Sequence, residues 1–534
     1  MRFVDSGVVA LCVPAVYLLG AAAAVLANGR VSERWRVAQF VASVAMVVTV
    51  LAVAIRPWEA GGGAGRALVQ TGALAAVDLV AAIMLALATM LGWVIVRFSR
   101  TYLEGEADQP RYIATLLVTL AGVSIVAVSN HLALLVLGWM ATSISLHSLL
   151  TFYRDRPWAM IAAHKKFLVS RLAEACLAGV LLLLYSAIGS LSISAIAAAV
   201  QGPEPVPTAV HAAAVLLALA VILKSAQLPV HGWLLQVMEA PTPVSALLHA
   251  GVVNLGGFVL IRLAPLVSAV PAAQLLLVVV GGLTAVLAGL VMTTRISIKV
   301  KLAWSTCAQM GFMLVECGLG LYELALLHLV AHSIYKAHAF LTAAGAVAHT
   351  RQRSQAPHHA SASFASQWVG AAASIALVAM SARGWTQVSA AAHLQPALVM
   401  MAGVGLAPFA ASLWSDRWND SVRSALRLVL LAQLPVVWHL LLSVAHVLDV
   451  RPGGSALLPW TATGVVALFF VQSLLVASPG GWMSRTLYAW CYAGFYLDER
   501  FTRLTFRIWP LRMPQTYSAA HARANVLATT GGSL

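Results

Sequence analysis

Apolar runs of about 20 residues recur along this chain, each long enough to cross about 30 Å of hydrocarbon as a helix. They fall at roughly 8–27, 36–55, 73–96, 112–129, 131–152, 166–189, 209–238, 243–263, 273–294, 298–319, 321–348, 365–381, 395–414, 424–446 and 457–476. The expected fold class is therefore all-α, a polytopic transmembrane helix bundle of about 15 spans within a range of 13 to 16. Composition excludes a water-soluble alternative. Hydrophobic residues make up 61% of 534, charged residues only 10%, and mean hydropathy is +0.87, so too little polar surface exists to cover a soluble domain. The run Val8–Ala27 is followed directly by further spans and lacks a cleavage site, so it reads as a retained helix.

A net charge of +15 is of the kind nucleic-acid-binding proteins carry, but most of the Arg and Lys lie in short segments between apolar runs, where they act as topology signals. No nucleic-acid partner is expected. Arg154, Arg156, Lys165 and Lys166 stand against Asp155 alone, and Arg295, Lys299 and Lys301 cluster later, whereas 201–208 holds only Glu204. The positive-inside rule puts the two basic segments, with Arg351, Arg353, His358 and His359, in the cytoplasm. An odd span count then predicts an N-terminus outside and a C-terminus inside, which in the bacterial inner membrane implied by the resemblance given below means periplasmic and cytoplasmic. Beyond about 480 the chain becomes aromatic and basic, with Trp482, Tyr488, Trp490, Tyr492, Phe495 and Tyr496 ahead of Arg500, Arg503, Arg507 and Arg512. Two readings fit: an amphipathic helix at the headgroups, or a docking surface for a soluble partner. Cys12, Cys176, Cys307, Cys317 and Cys491 are scattered without ligand spacing and read as packing residues.

The stretch Lys224–Gly257 breaks the pattern. An uncompensated Lys in mid-membrane costs roughly 2.5–3.5 kcal/mol on insertion scales, and Lys224 closes the apolar run 212–223. A lysine snorkelling to the interface is the simpler reading, yet Pro229 follows, and Pro241 and Pro243 bracket Thr242 before the next run. This predicts helices broken inside the membrane, which survive only against protein or a wet cavity, where transporters keep their ionisable groups.

His328, His332 and Lys336 fall at i, i+4 and i+8, so one helical face carries three titratable groups, and His249 lies on the span after the break. A proton relay needs such groups: His titrates near neutrality, and Lys does so when buried. A metal is a rival reading, but zinc takes three or four ligands and no HExxH glutamate separates the two histidines; haem would need a facing His. Glu174, three residues after Arg171, is either half of an ion pair or the acid that tunes Lys224. His147 and His439 read as packing residues, Glu239 sits at the break, Glu316 and Glu323 near the opposite surface with Glu323 exposed, and Asp78 is a lone acid without a role.

Four motifs in order, KSAQLPVHGWL, MEAPTPVSALLHAG, KLAWSTCAQMGFM and HLVAHSIYKAHAF, resemble the antiporter-like proton-conducting subunits of respiratory NADH dehydrogenase, membrane hydrogenases and multi-subunit sodium/proton antiporters. The resemblance covers about 110–415 and implies broken helices in antiporter-like inverted repeats. It matches Lys224 to the central lysine of the broken helix and His249 to the histidine after the PTPVSALLHA turn. Lys299 matches the basic residue before LAWST, and His328, His332 and Lys336 match the relay along the family's second broken-helix region. Arg171 and Glu174 match an Arg and an acid of the sixth helix. Pro229, Pro241, Pro243 and Lys301 are supporting residues. Two positions depart: Met140 stands where the family carries a glutamate after Gly-Trp, and Ser415, Asp416, Arg417 replace a Ser-Lys-Asp sequence.

The loop FYRDRPWAMIAAHKKF, residues 152–167, further resembles the membrane subunits of the DAB system, two-component inorganic-carbon accumulation complexes of autotrophic bacteria. That resemblance implies a subunit conducting H⁺ or Na⁺, with no cofactor of its own, bound on its cytoplasmic face to a soluble DabA-like protein. This carbonic-anhydrase-like partner would carry the zinc and the hydration of carbon dioxide to bicarbonate, so the chain itself would not be an enzyme. The rivals are a proton-pumping subunit of a redox complex or a cation/proton antiporter, and a haem- or metal-bearing membrane enzyme. The expected layout is N-terminal helices over 1–110, the antiporter-like core over 111–415, further helices over 416–478 and the docking tail over 479–534.

Overall fold

In the computed structural model the described residues are 6–26, 30–61, 74–343, 364–387, 396, 399–400, 402–404, 406, 418–444, 457–477 and 481–510. Among these the regular elements are all helices, and extended backbone pairs at only two isolated bridges, Ala75 with Ser129 and His131 with Ser192. Eleven helices among the described residues are long and apolar enough to cross a membrane. Two shorter apolar helices, Thr208–Lys224 and Pro459–Leu475, and the 21-residue Ile298–Gly318 account for the other expected spans. The exception is 395–414, most of which lies outside the described residues. Ser415, Asp416 and Arg417 also lie outside them, as do Arg351, Arg353, His358 and His359.

The helices that position the site are α1 (Pro157–Ile188), α2 (Thr208–Lys224), α3 (Pro271–Thr293), α4 (Ile298–Gly318) and α5 (Tyr322–Leu341). Small residues let them close. A Cβ built on Gly281 of α3 would lie 2.6 Å from the Gly311 carbonyl of α4, and one on Gly311 would lie 2.6 Å from the Gly281 carbonyl and 2.7 Å from the Ala285 nitrogen. With no hydrophobic force between helices in lipid, such backbone approach supplies the van der Waals contact that holds a bundle together.

One sequence expectation needs correction here. Lys165 and Lys166 are not loop bases: α1 starts at Pro157, whose fixed φ suits the first helical position, and both lysines lie buried within it. Their partners, Asp498 and Ser143, come from distant segments, so sequence spacing gave no sign of them. The positive face survives this loss. Arg156 bonds the Glu239 carbonyl, Tyr153 bonds Glu106, and Thr242 bonds Tyr102, so Arg97, Arg100, Arg154 and Arg156 gather at one end of the bundle. Arg295, beside Tyr492, and the C-terminal helices α6 (Trp482–Tyr492) and α7 (Leu497–Ile508) share that end. We call it the tail face.

The α3–α4 contact is backbone against backbone and cannot yield by moving a side chain. Gly311→Val should therefore destabilise at the upper end of the overpacking range, about 3 kcal/mol, seen as earlier loss of monodisperse protein on heating in detergent. Unchanged heat resistance would contradict the close approach.

Candidate ion pathway

The first helix break follows Lys224, the last residue of α2. Ala226 takes φ 52°, outside the helical region, so the helix ends there, and regular helix resumes at Gly232. Neighbours satisfy the freed backbone: the Leu228 amide donates to Thr284 Oγ1 of α3 at 3.1 Å, and Gln227 Nε2 donates to the Ser225 carbonyl at 2.9 Å. Backbone outside a helix is tolerated in the bilayer only under such cover. The break leaves Lys224 at a helix C-terminus, where the unsatisfied carbonyls favour a cation.

Lys224 Nζ lies 3.4 Å from Glu174 Oε1 and 4.8 Å from the centre of the Trp139 ring. Arg171 Nη2 donates to the same Glu174 carboxylate at 2.8–2.9 Å. Glu174 thus contacts both Arg171 and Lys224. Lys166, buried about two turns before Glu174 on α1, donates to the Ser143 carbonyl at 2.8 Å and to Ser143 Oγ at 3.2 Å, within electrostatic reach of Lys224 and Glu174. One carboxylate therefore serves three basic groups, and any proton that arrives or leaves changes an uneven balance. Met140, half-buried beside Trp139, contributes no charge.

The second break begins at Pro241 and Pro243. Helix Thr242–Leu247 widens into a π turn over Leu248–Val252 before Leu255–Arg262 resumes, and His249 sits in that turn. A π turn carries an extra residue and so re-aims the side chains within it. The His249 ring stacks on Phe340 of α5 at 4.5 Å and 16°. Asn254 Nδ2 ties the break to α5, donating to Ser333 Oγ at 2.7 Å.

On α5 the expected row is present. His328 and His332 have ring centres 6.0 Å apart, and Lys336 donates to the Leu302 carbonyl at 3.0 Å and to Ser305 Oγ. His332 lies within electrostatic reach of His328, Lys336 and His249, so the second break and the α5 row form one buried cluster. Both ring nitrogens of His249 and of His332 are buried and lack a protein hydrogen-bond partner among the described residues. Lone pairs and N–H groups unclaimed by protein are what a group that exchanges protons requires.

Other expected residues fall differently. Lys299 is half-buried and donates to Thr242 Oγ1 at 2.9 Å, which attaches it to the second break, while Lys301 is exposed and stands outside the buried row. Glu316, expected near a surface, is 2% exposed and pairs with His328 Nδ1 at 2.9 Å. Glu323 is not exposed either: its side chain is mostly buried and pairs with His439, expected to be a packing residue. Asp78 is not a lone acid; it caps the helix Leu79–Tyr102, accepting from the Ala81 amide at 2.8 Å, and pairs with the buried Arg262. The sequence reading missed Lys166, Glu316 and His231. His231 and Glu316 offered a signal, an ionisable group in a motif or an apolar run, but no periodicity tied either to the row.

Broken transmembrane helices holding lysines and histidines against a buried acid define the class of antiporter-like, ion-translocating membrane subunits. Residues 129–411 match the transmembrane family described as NADH:quinone oxidoreductase/Mrp antiporter. The chain is 44% identical over 446 residues to the probable inorganic carbon transporter subunit DabB of Hydrogenovibrio crunogenus, covering 81% of this chain and 83% of that protein. It is 38% identical over 462 residues to the DabB2 subunit of Halothiobacillus neapolitanus, covering 84% and 83%. Among solved structures, the Mrp complex from Dietzia sp. DQ12-45-1b shares the fold, with a TM-score of 0.54 at 20% identity over 98% of this chain and 59% of that chain. The protein belongs to the NADH:quinone oxidoreductase/Mrp antiporter family, in its DabB branch.

The contact between Lys224 and Glu174 can be tested in the purified protein. Removing one partner of a buried pair strands the other, so Glu174→Gln should cost about 3 kcal/mol, and the double change Glu174→Gln with Lys224→Met should regain most of it. The readout is the thermal unfolding series of all three variants in detergent. Strictly additive losses would show that the two groups do not interact.

Proposed function

We propose that this chain is the ion-conducting membrane subunit of an energy-coupled inorganic-carbon pump, with H⁺ as the favoured ion and Na⁺ as the other. The observation that carries the reading is the buried row of His249, His328, His332 and Lys336 at the second helix break, with the buried Lys224–Glu174 pair at the first, in a chain whose relatives are inorganic carbon transporter subunits. Ions pass by way of Lys224, Glu174, His249, His332 and Lys336, with His328 and Glu316 at one end and Lys299 beside the second break. Arg171 holds Glu174 in place, and Pro229, Pro241 and Pro243 break the helices that open the route.

The hydration of carbon dioxide belongs to a soluble DabA-like partner, carbonic-anhydrase-like and zinc-bearing, seated on the tail face. Support for that position comes from α6 and α7, which expose Trp482, Tyr488, Trp490, Arg500, Arg503 and Arg507. By the positive-inside rule the tail face, with its arginines, is the cytoplasmic one, in a bacterial inner membrane with the N-terminus in the periplasm. Ion movement then drives a conformational or protonation change that keeps the partner's hydration from running backwards. One charge crossing 100 mV supplies about 2.3 kcal/mol, roughly a fiftyfold bias per ion, which suffices to make a reversible hydration directional. A second reading, a redox-linked pump module or cation/proton antiporter subunit, draws on the family description itself. It requires flavin, iron–sulfur or antiporter subunits to co-purify, whereas the first requires a large soluble zinc protein.

Lys224→Ala should abolish uncoupler-sensitive carbon uptake in cells while leaving assembly with the partner intact. Normal uptake in that variant would overturn the route.

A further inference from the structure

The C-terminal helix α7 carries an acid into the bundle. Phe495 and Tyr496, at φ 55° and 56°, turn the chain sharply through the left-handed region, and α7 then starts with Leu497 and Asp498 against the tail face. Non-glycine residues rarely adopt that conformation, and two in succession persist only where surrounding contacts hold them. The contacts are made by Asp498. Its Oδ1 accepts from Lys165 Nζ at 2.7 Å, a lysine whose side chain is 0% exposed, and its Oδ2 accepts from Gln236 Nε2 at 3.3 Å. Lys165 also donates to Thr502 Oγ1 at 3.0 Å.

The carboxylate fills the first helix break. A Cβ built on Gly232 would fall 1.4 Å from Asp498 Oδ1, so the acid occupies the space that a side chain at 232 would take. His231, the preceding residue, is 0% exposed, packs on Trp304 at 4.9 Å, and has Nε2 buried without a partner among the described residues. It lies within electrostatic reach of Asp498 and Lys165. Beyond His231 toward Lys224 come Gln227 Oε1 and Ser225 Oγ, also buried and without a partner among the described residues. On its outer side Asp498 keeps 22% of its side chain exposed. The groups facing it are thus Lys165 from α1, Gln236 and His231 from the broken segment and Cys307 from α4, while Glu499 and Thr502 of its own helix lie near Lys165.

We infer that Asp498 is the port acid of the ion route on the tail face, placed there by α7 in a chain that carries Met140 at the family's acid position. The inference rests on the ion-conducting reading above and deepens it. The protonated Asp498 carboxyl gives its proton to the His231 imidazole, leaving a carboxylate and an imidazolium, and water at the exposed edge reprotonates the carboxylate. Release runs in the opposite order. Lys165 is a positioning residue that holds the carboxylate over Gly232.

A purely structural role, in which Asp498 only anchors the tail by neutralising Lys165, makes a different prediction. Uncoupler-sensitive carbon uptake is measured for the full chain with its partner in cells, with tryptic cleavage of the tail and partner assembly as docking controls. Asp498→Asn keeps an oxygen for Lys165, so the tail stays docked, yet uptake should fall at least tenfold; Asp498→Glu should recover a substantial part of it. The double variant Lys165→Met with Asp498→Leu removes the charge pair without stranding either charge, and its uptake should fall as far as in Asp498→Asn. Gly232→Ala leaves every ionisable group in place but expels the carboxylate, and should also lose at least tenfold. Uptake within twofold of the unmodified protein in docked Asp498→Asn, or in Gly232→Ala, would overturn the port. Lys224→Ala, run beside them, separates the two ideas: loss there with normal uptake in Asp498→Asn rejects the port alone, and normal uptake in Lys224→Ala rejects the route itself.

Discussion

Backbone that leaves the helix inside a bilayer must find its hydrogen bonds in protein, and that requirement organises this structure. Each of the two breaks is stitched to a neighbouring helix by a hydroxyl: Thr284 of α3 caps the Leu228 amide, and Ser333 of α5 takes the Asn254 amide group. The helices that cover the breaks must pack closely, and the mutual approach of Gly281 and Gly311 brings α3, which supplies Thr284, against α4. Without the small residues the breaks would face lipid, and Lys224 and His249 would lose the covered interior in which a buried ionisable group can be tolerated.

Charge is distributed unevenly within that interior. Among the described residues, one carboxylate, Glu174, is shared around the first break by Arg171 and Lys224 with Lys166 nearby; around the second, Glu316 pairs with His328 while His332, His249 and Lys336 have no acid beside them. An interior with more basic groups than acids responds strongly to the arrival of one proton, because each group senses the charge of the next at low dielectric. Evenly paired charges would make a rigid scaffold. This arrangement makes a set of electrostatically coupled sites.

Two of the unexpected contacts bind the ends of the bundle. Arg262 with Asp78 and His439 with Glu323 join helices far apart in the chain, and both acids had looked idle or exposed in the sequence. The tail adds a third: α7 is anchored through Asp498 to Lys165, 333 residues earlier. An exposed aromatic and arginine-rich surface is thereby held directly above the first break, so whatever binds that surface is mechanically close to the route.

The helical class, the approximate spans and the two breaks were legible in the residues alone, because length and hydropathy in lipid allow few alternatives and proline leaves a local mark. The row His328, His332 and Lys336 was legible for the same reason, since a period of about 3.6 residues is a property of one helix. What the sequence could not express was which acid answers which base. Asp498 and Lys165, Asp78 and Arg262, Glu323 and His439, and Lys166 and Ser143 are pairs made across the bundle, between segments whose separation in the chain carries no periodic signal. Local order along one helix is written in spacing; the partners of buried charges are decided only when helices pack, because pairing energy depends on distance in space and not on distance in sequence.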